Sequence, residues 1–143
     1  MKPPFEIILE ESPLREDRKR LEREIDLFNT RSVPGKDERF AFLLRDGEGE
    51  LVGGLDGVIG WAWLFVDNLW VHDELRGRGF GRELLARAER RALARGCHSA
   101  WLDTFQARSF YEHLGYAVFG SLEDYPPGQT RHFLRKRLAI EPG

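Results

Sequence analysis

Between Leu69 and Arg95 the chain runs from an apolar strand through a glycine-rich turn into an amphipathic helix, an order that few folds accommodate. Leu69-Trp70-Val71 is β-branched and aromatic, and after a gap of four residues Arg76-Gly77-Arg78-Gly79-Phe80-Gly81 opens the run Arg82 to Arg95. A turn that becomes the first turn of a helix leaves backbone N–H groups unpaired and pointing one way, so this stretch encodes an anion cradle. Glycine at 77, 79 and 81 removes the Cβ atoms that would hold an anionic group at a distance. Arg76 and Arg78 add positive charge beside the helix N-terminus.

The rest of the chain supplies an α/β frame for that turn. Phe5 to Glu10 alternates weakly and reads as a first strand, closed by Ser12-Pro13, which also serves as cap and first turn of a helix. Leu14, Leu21, Ile25 and Phe28 follow helical spacing in an Arg/Glu-rich background, the pattern of a solvated helix face. Phe40 to Arg45 and Leu51 to Ile59 form a hairpin around Asp46-Gly47-Glu48-Gly49. Gly53, Gly54, Gly57 and Gly60 make its second strand irregular, the mark of a bulge or of a close chain approach. Trp61 to Val71 is the central strand, with Trp61, Trp63 and Trp70 read as core residues and, in the alternative, as lining of a pocket, and a helix from about Gly79 to Arg95 ends at Gly96. Strand Ser99 to Thr104 completes one right-handed βαβ unit, with Trp101 in the core. A short helix over about Ala107 to Leu114 stops at Gly115. Strands near Ala117 to Gly120 and Thr130 to Arg137 close the sheet around a Pro126-Pro127-Gly128 loop.

Composition narrows the classes of function. The chain of 143 residues suits one domain, and a formal charge of −2 argues against a general polyanion-binding surface such as one for nucleic acid. The one cysteine, Cys97, excludes an internal disulfide and reads as a small core residue. No apolar run reaches the roughly 18 residues of a membrane span, and no basic leader precedes an apolar stretch, so the cytoplasm is the expected compartment. The edge strands are compatible with a homodimer, without any specific interface signal.

Spacing sorts the ligands that such a cradle can take. An ATP or GTP loop requires Lys-Ser or Lys-Thr after the last glycine, where this chain has Arg82-Glu83. A dinucleotide fold places Gly-x-Gly-x-x-Gly after its first strand, and Asp103 only weakly mimics its ribose-binding acid, so a nucleotide-binding domain stays as a minor alternative. Arg76, Gly79 and Gly81 instead resemble the Arg/Gln-x-x-Gly-x-Gly/Ala signature of the GNAT superfamily of N-acetyltransferases. Leu69 and Val71 before it and Leu84-Leu85 after it fit as well. Ala107-Arg108-Ser109-Phe110-Tyr111-Glu112-His113-Leu114-Gly115-Tyr116 is similar to the second element of that family, Ala-x-x-Phe-Tyr-x-x-x-Gly-Phe/Tyr. The matching core spans roughly residues 61 to 121.

The resemblance implies one acetyltransferase domain over residues 1–143, with a mixed central sheet, splayed central strands and flanking helices. It implies acetyl-CoA as co-substrate and a primary amine as acceptor, whether small molecule, peptide or protein. Acetyl-CoA would then contact Leu69, Trp70, Val71, Arg76, Gly77, Arg78, Gly79, Phe80, Gly81, Thr104 and Tyr111. Thr104 stands where the family often has asparagine, and Tyr111 aligns with the tyrosine that serves the CoA sulfur. A phenol with a pKa of about 10 keeps its proton at neutral pH and can donate it. No base is diagnostic. Asp67 is the candidate, because strand alternation puts it on the face of Phe65 and Leu69, where burial would raise its pKa; Asp103 and His72 are the other candidates. The competing reading of Asp67 is a polar residue bonded to nearby backbone. Scattered acids at Asp56, Asp67, Asp103, Glu123 and Asp124 would favour a cationic amine. His98, His113 and His132 lack metal-ligand spacing, and the chemistry requires no metal. A CoA-binding sensor that has lost catalysis is the alternative of a different class, and retention of Tyr111 argues against it.

Overall fold

The computed structural model describes residues 4–139, and the chain divides into two compact units, Met1–Gly35 and Lys36–Gly143. The first unit carries α1 (Arg15–Ser32), whose N-cap is Leu14 rather than Ser12. The Leu14 carbonyl accepts from the Asp17 and Arg18 N–H groups. No strand forms over residues 5–10. The weak alternation there suffices for an extended chain, but a strand exists only with a pairing partner, and no described strand pairs with this segment.

The second unit is a six-stranded sheet of order β1-β2-β3-β4-β6-β5, built from β1 (Glu38–Arg45), β2 (Leu51–Gly60), β3 (Trp63–Val71), β4 (Ser99–Thr104), β5 (Ala117–Glu123) and β6 (Thr130–Arg137). All neighbours are antiparallel except β3 and β4, which run parallel because α2 (Phe80–Ala94) carries the chain back between them. The short α3 (Arg108–His113) links β4 to β5. Leu84, Leu85, Ala88 and Ala92 form the buried stripe of α2 and join Leu55, Ile59, Leu64, Val66, Ala100, Leu102 and Leu134 from the sheet in one core. Full burial of a leucine is worth about 1.5–3 kcal/mol, so this stripe anchors the helix that carries the cradle. Cys97 lies in the same core, where burial pushes its thiol pKa up.

The longest apolar run is interrupted earlier than its composition implied. Trp61 and Ala62 do not continue the strand: they are the two central residues of the β2–β3 hairpin, with φ of 47° and 65°. Left-handed backbone at both positions gives the twist that a two-residue hairpin needs, and it leaves Trp61 53% exposed rather than in the core.

Candidate active site

The cradle forms where β3 ends. His72 caps a single 3-10 turn, Asp73–Leu75, its Nδ1 accepting from the Glu74 N–H at 3.2 Å, so one ring nitrogen of the imidazole is engaged in holding the turn. Arg76 folds back: its Nε donates to the Val71 carbonyl at 3.2 Å and its Nη2 pairs with Asp73 at 3.1 Å. Gly77 and Gly79 then take φ of 78° and 86°, and α2 starts with the Glu83 N–H donating to the Gly79 carbonyl. The N–H groups of the preceding turn residues have no acceptor within the helix. A Cβ at 77 or 79 would meet nothing within 4 Å, so glycine is required there by backbone conformation, and the space above the turn is open.

Beside the cradle the sheet parts. β3 and β4 pair only over Trp63–Phe65 and Ser99–Trp101, although β3 runs on to Val71 and β4 to Thr104. On its other edge β3 bulges against β2: Gly57 pairs with Val66 and Asp56 with Asn68, leaving Asp67 as the extra residue. Asp56 Oδ1 locks the bulge by accepting from both the N–H and the Nδ2 of Asn68 at 2.9 Å. Gly57 is obligatory opposite, since a Cβ there would lie 2.7 Å from the Phe65 carbonyl oxygen. The bulge breaks the alternation on which the reading of Asp67 rested. Leu69 returns to the side of Leu55, packed against the core, while Asp67 is exposed and shares no buried face with Phe65 and Leu69.

Tyr111 faces this opening from α3. It is 8% exposed, wedged edge-on between Phe110 at 5.0 Å and Tyr116 at 5.9 Å. Burial, and secondly the negative charge of Asp103, hold its phenol above the ordinary tyrosine range, so it keeps its proton at neutral pH. Asp103 itself is engaged, with its Oδ1 2.8 Å from Arg131 Nη1. Arg131 lies over the rings of Tyr125 at 4.2 Å and Phe105 at 5.5 Å. Thr104 has a structural task as well: its Oγ1 accepts from the Gln106 and Ala107 N–H groups at 3.3 and 3.1 Å and shapes the entry to α3.

The end of β3, the glycine turn with the start of α2, and α3 line a pocket of about 430 Å³. Of the residues expected to hold the co-substrate, Leu69, Trp70, Val71, Arg76, Gly77, Gly79, Phe80, Gly81 and Tyr111 line it together. Arg78 and Thr104 are not among the lining residues; the first is exposed on the turn and the second faces the α3 entry. Leu75, Arg82, Ala107 and Phe110 complete the wall; Ala107 and Phe110 belong to the second family-like element of the sequence, but none of the four was expected to contact the co-substrate. Helical spacing from Gly79 would have marked Arg82 as a first-turn cation. Nothing local marked Leu75 or the approach of Phe110, whose ring would lie 3.4 Å from a Cβ at Gly81. A second groove, about 630 Å³, lies at the far end of α2 against Glu89, Lys136 and Arg137, away from the turn and from Tyr111. The described residues gather no group of three or more His, Cys, Asp or Glu suited to a metal, and no described helix is long and apolar enough to cross a membrane.

Comparison with known proteins gives this arrangement its relatives. The model of the Acetyltransferase (GNAT) family matches residues 3–116. A blasticidin-S acetyltransferase of Streptomyces morookaense is 50% identical over 93 residues, 63% of this chain and 68% of the relative. The crystal structure of an acetyltransferase from Bacillus cereus is similar with a TM-score of 0.81 and 31% identity, over 92% of this chain and 98% of that one. An aminoglycoside 6'-N-acetyltransferase complexed with coenzyme A shares the fold, with a TM-score of 0.64 and 21% identity, over 74% of this chain and 76% of that one. A glycine turn at the mouth of a parted sheet and a family match over most of the chain lead to one conclusion: the chain belongs to the GNAT acetyltransferases and is an N-acetyltransferase.

Proposed function

We propose that the chain acts as one domain that transfers the acetyl group of acetyl-CoA to a primary amine by direct attack, and that the acceptor is a small molecule. The observation that carries the reading is the shared pocket: the Tyr111 side chain, the glycine turn and the Leu69–Val71 end of β3 line one cavity. The open turn fits a diphosphate, with the N–H groups at the start of α2 and the Arg82 side chain as its partners. Backbone groups of Leu69, Trp70 and Val71 would pair with the extended pantetheine arm as a neighbouring strand would. When bound, acetyl-CoA supplies the thioester whose acetyl group passes to the amine as a thiolate leaves.

Tyr111 then donates its phenolic proton to that sulfur. Asp67, on the bulge beside the opening, accepts the ammonium proton through water, a role that Asp103 in its pair with Arg131 is poorly placed to take. The small-molecule acceptor is favoured by the extent of identity with the blasticidin-S acetyltransferase, and blasticidin S is the first amine to try.

The test is thiol release from acetyl-CoA with blasticidin S and a panel of amines, using wild type and Tyr111→Phe. Wild type should turn over at least one amine. Tyr111→Phe should lose about 10- to 1000-fold in kcat while acetyl-CoA affinity changes little, because the donor matters as charge develops on sulfur. Binding of acetyl-CoA without turnover of any amine would leave the sensor reading in its place.

A further inference from the structure

The buried aromatic between α3 and β5 carries more polar hardware than a core residue requires. Tyr116 is 3% exposed, yet its hydroxyl donates to Glu89 Oε2 at 2.9 Å. The other oxygen of that carboxylate accepts from Lys136 Nζ at 2.8 Å, and side-chain exposures of 14% and 26% for Glu89 and Lys136 remove most of the pair from water. Lys136 Nζ also lies 5.6 Å from the centre of the Tyr116 ring. Gly115 lets the lysine stem cross this corner, since a Cβ there would lie 3.3 Å from Lys136 Cε. A phenylalanine facing an apolar partner would fill the same volume without desolvating three polar groups, so the arrangement is costly as mere packing.

What it constrains is the neighbour. The Tyr116 N–H donates to the Tyr111 carbonyl at 3.1 Å, and the two rings meet edge to face at 5.9 Å and 71°. Glu89 lies on α2, whose first turn lines the pocket into which Tyr111 reaches. We propose that Tyr116, tethered through its hydroxyl to Glu89 and Lys136, is a positioning residue that fixes the Tyr111 phenol relative to the α2 turn. The inference rests on the reading of Tyr111 as proton donor. A donor displaced by a fraction of an ångström leaves hydrogen-bond reach of the sulfur, whereas the grip of the turn on the diphosphate does not depend on the Tyr111 ring.

The test is a double-mutant cycle of Tyr116→Phe with Tyr111→Phe, reading kcat and acetyl-CoA affinity at a temperature where every variant is folded. Tyr116→Phe alone should lower kcat about 3- to 30-fold, part of the effect of losing the donor, with acetyl-CoA affinity changed less than about 2-fold. In the Tyr111→Phe background the same substitution should cost almost nothing. An undiminished loss in that background, or full kcat in Tyr116→Phe, overturns the inference while leaving the donor reading standing. Unchanged kcat in Tyr111→Phe overturns both. If Tyr116→Phe fails to fold, Glu89→Gln replaces it in the cycle: its one amide oxygen cannot accept from both the Tyr116 hydroxyl and Lys136 Nζ, so the tether loosens, and the same loss of effect in the Tyr111→Phe background is expected.

Discussion

Gly79 combines a backbone conformation with a vacancy, and the two are separable by substitution. Its φ of 86° penalises any side chain, while the space around a built Cβ is open. Asn and Asp tolerate left-handed backbone better than other residues and have nearly the same shape. Gly79→Asn therefore measures the strain, and Gly79→Asp adds a negative charge where the diphosphate is proposed to sit. Gly79→Asp should bind acetyl-CoA about 1.5–3 kcal/mol more weakly than Gly79→Asn, the range of hydrogen bonds to charged groups. Calorimetric affinities for both, with melting curves to verify the fold, decide it. Equal affinities would move the diphosphate off this turn. The glycines of the turn were legible in the sequence because their requirement is local. The roles of Thr104 and His72 were not, since whether a hydroxyl or an imidazole faces a ligand or caps its own turn depends on a hydrogen bond within two or three residues, which composition does not decide.

At the scale of elements, β3 holds the main difference between sequence and structure. Its apolar run announced a central strand, but period-two alternation assumes an unbroken ladder, and one extra residue at Asp67 reverses the facing of everything after it. Its causes, the Asp56–Asn68 bonds and the absence of room for a Cβ at Gly57, lie across the sheet, so Gly57 signalled an irregularity without locating its partner. The same bulge leaves Asp67 exposed on β3, outside the pocket lining, and this shapes the prediction for the base. An acceptor amine with a pKa near 10 is about 99.9% protonated at pH 7, a cost of roughly 4 kcal/mol that a base helps to offset and that vanishes at high pH. Asp67→Asn should depress kcat/KM most near pH 6–7 and least near pH 10, whereas Asp103→Asn should lower it by a similar factor throughout, through the loss of its pair with Arg131. Parallel wild-type and Asp67→Asn pH profiles would remove Asp67 as the base.

Over the whole molecule, the core between α2 and the sheet surrounds two phenols, and this burial ties stability to alkaline pH. Desolvation is the main cause that raises the pKa of both Tyr111 and Tyr116; the charge of Asp103 adds at the first, and the charge and hydrogen bond of Glu89 at the second. In the unfolded chain both phenols return to the ordinary value of about 10. Below that pH folded and unfolded chains hold these protons equally, and the stabilisation is fully present. Above it the unfolded chain releases protons that the folded chain retains, so stability falls as pH rises toward the folded values. Each proton so released steepens the loss by about 1.4 kcal/mol per pH unit. Tyr116→Phe deletes one of the two phenols and nothing else that titrates. Its stability deficit against wild type should therefore be largest at pH 8–9 and shrink between about pH 10 and 11, read from denaturant unfolding at each pH. A deficit that stays constant across that window would mean that the Tyr116 hydroxyl ionises as readily in the folded protein as in the unfolded chain, and that the bond to Glu89 does not hold its proton.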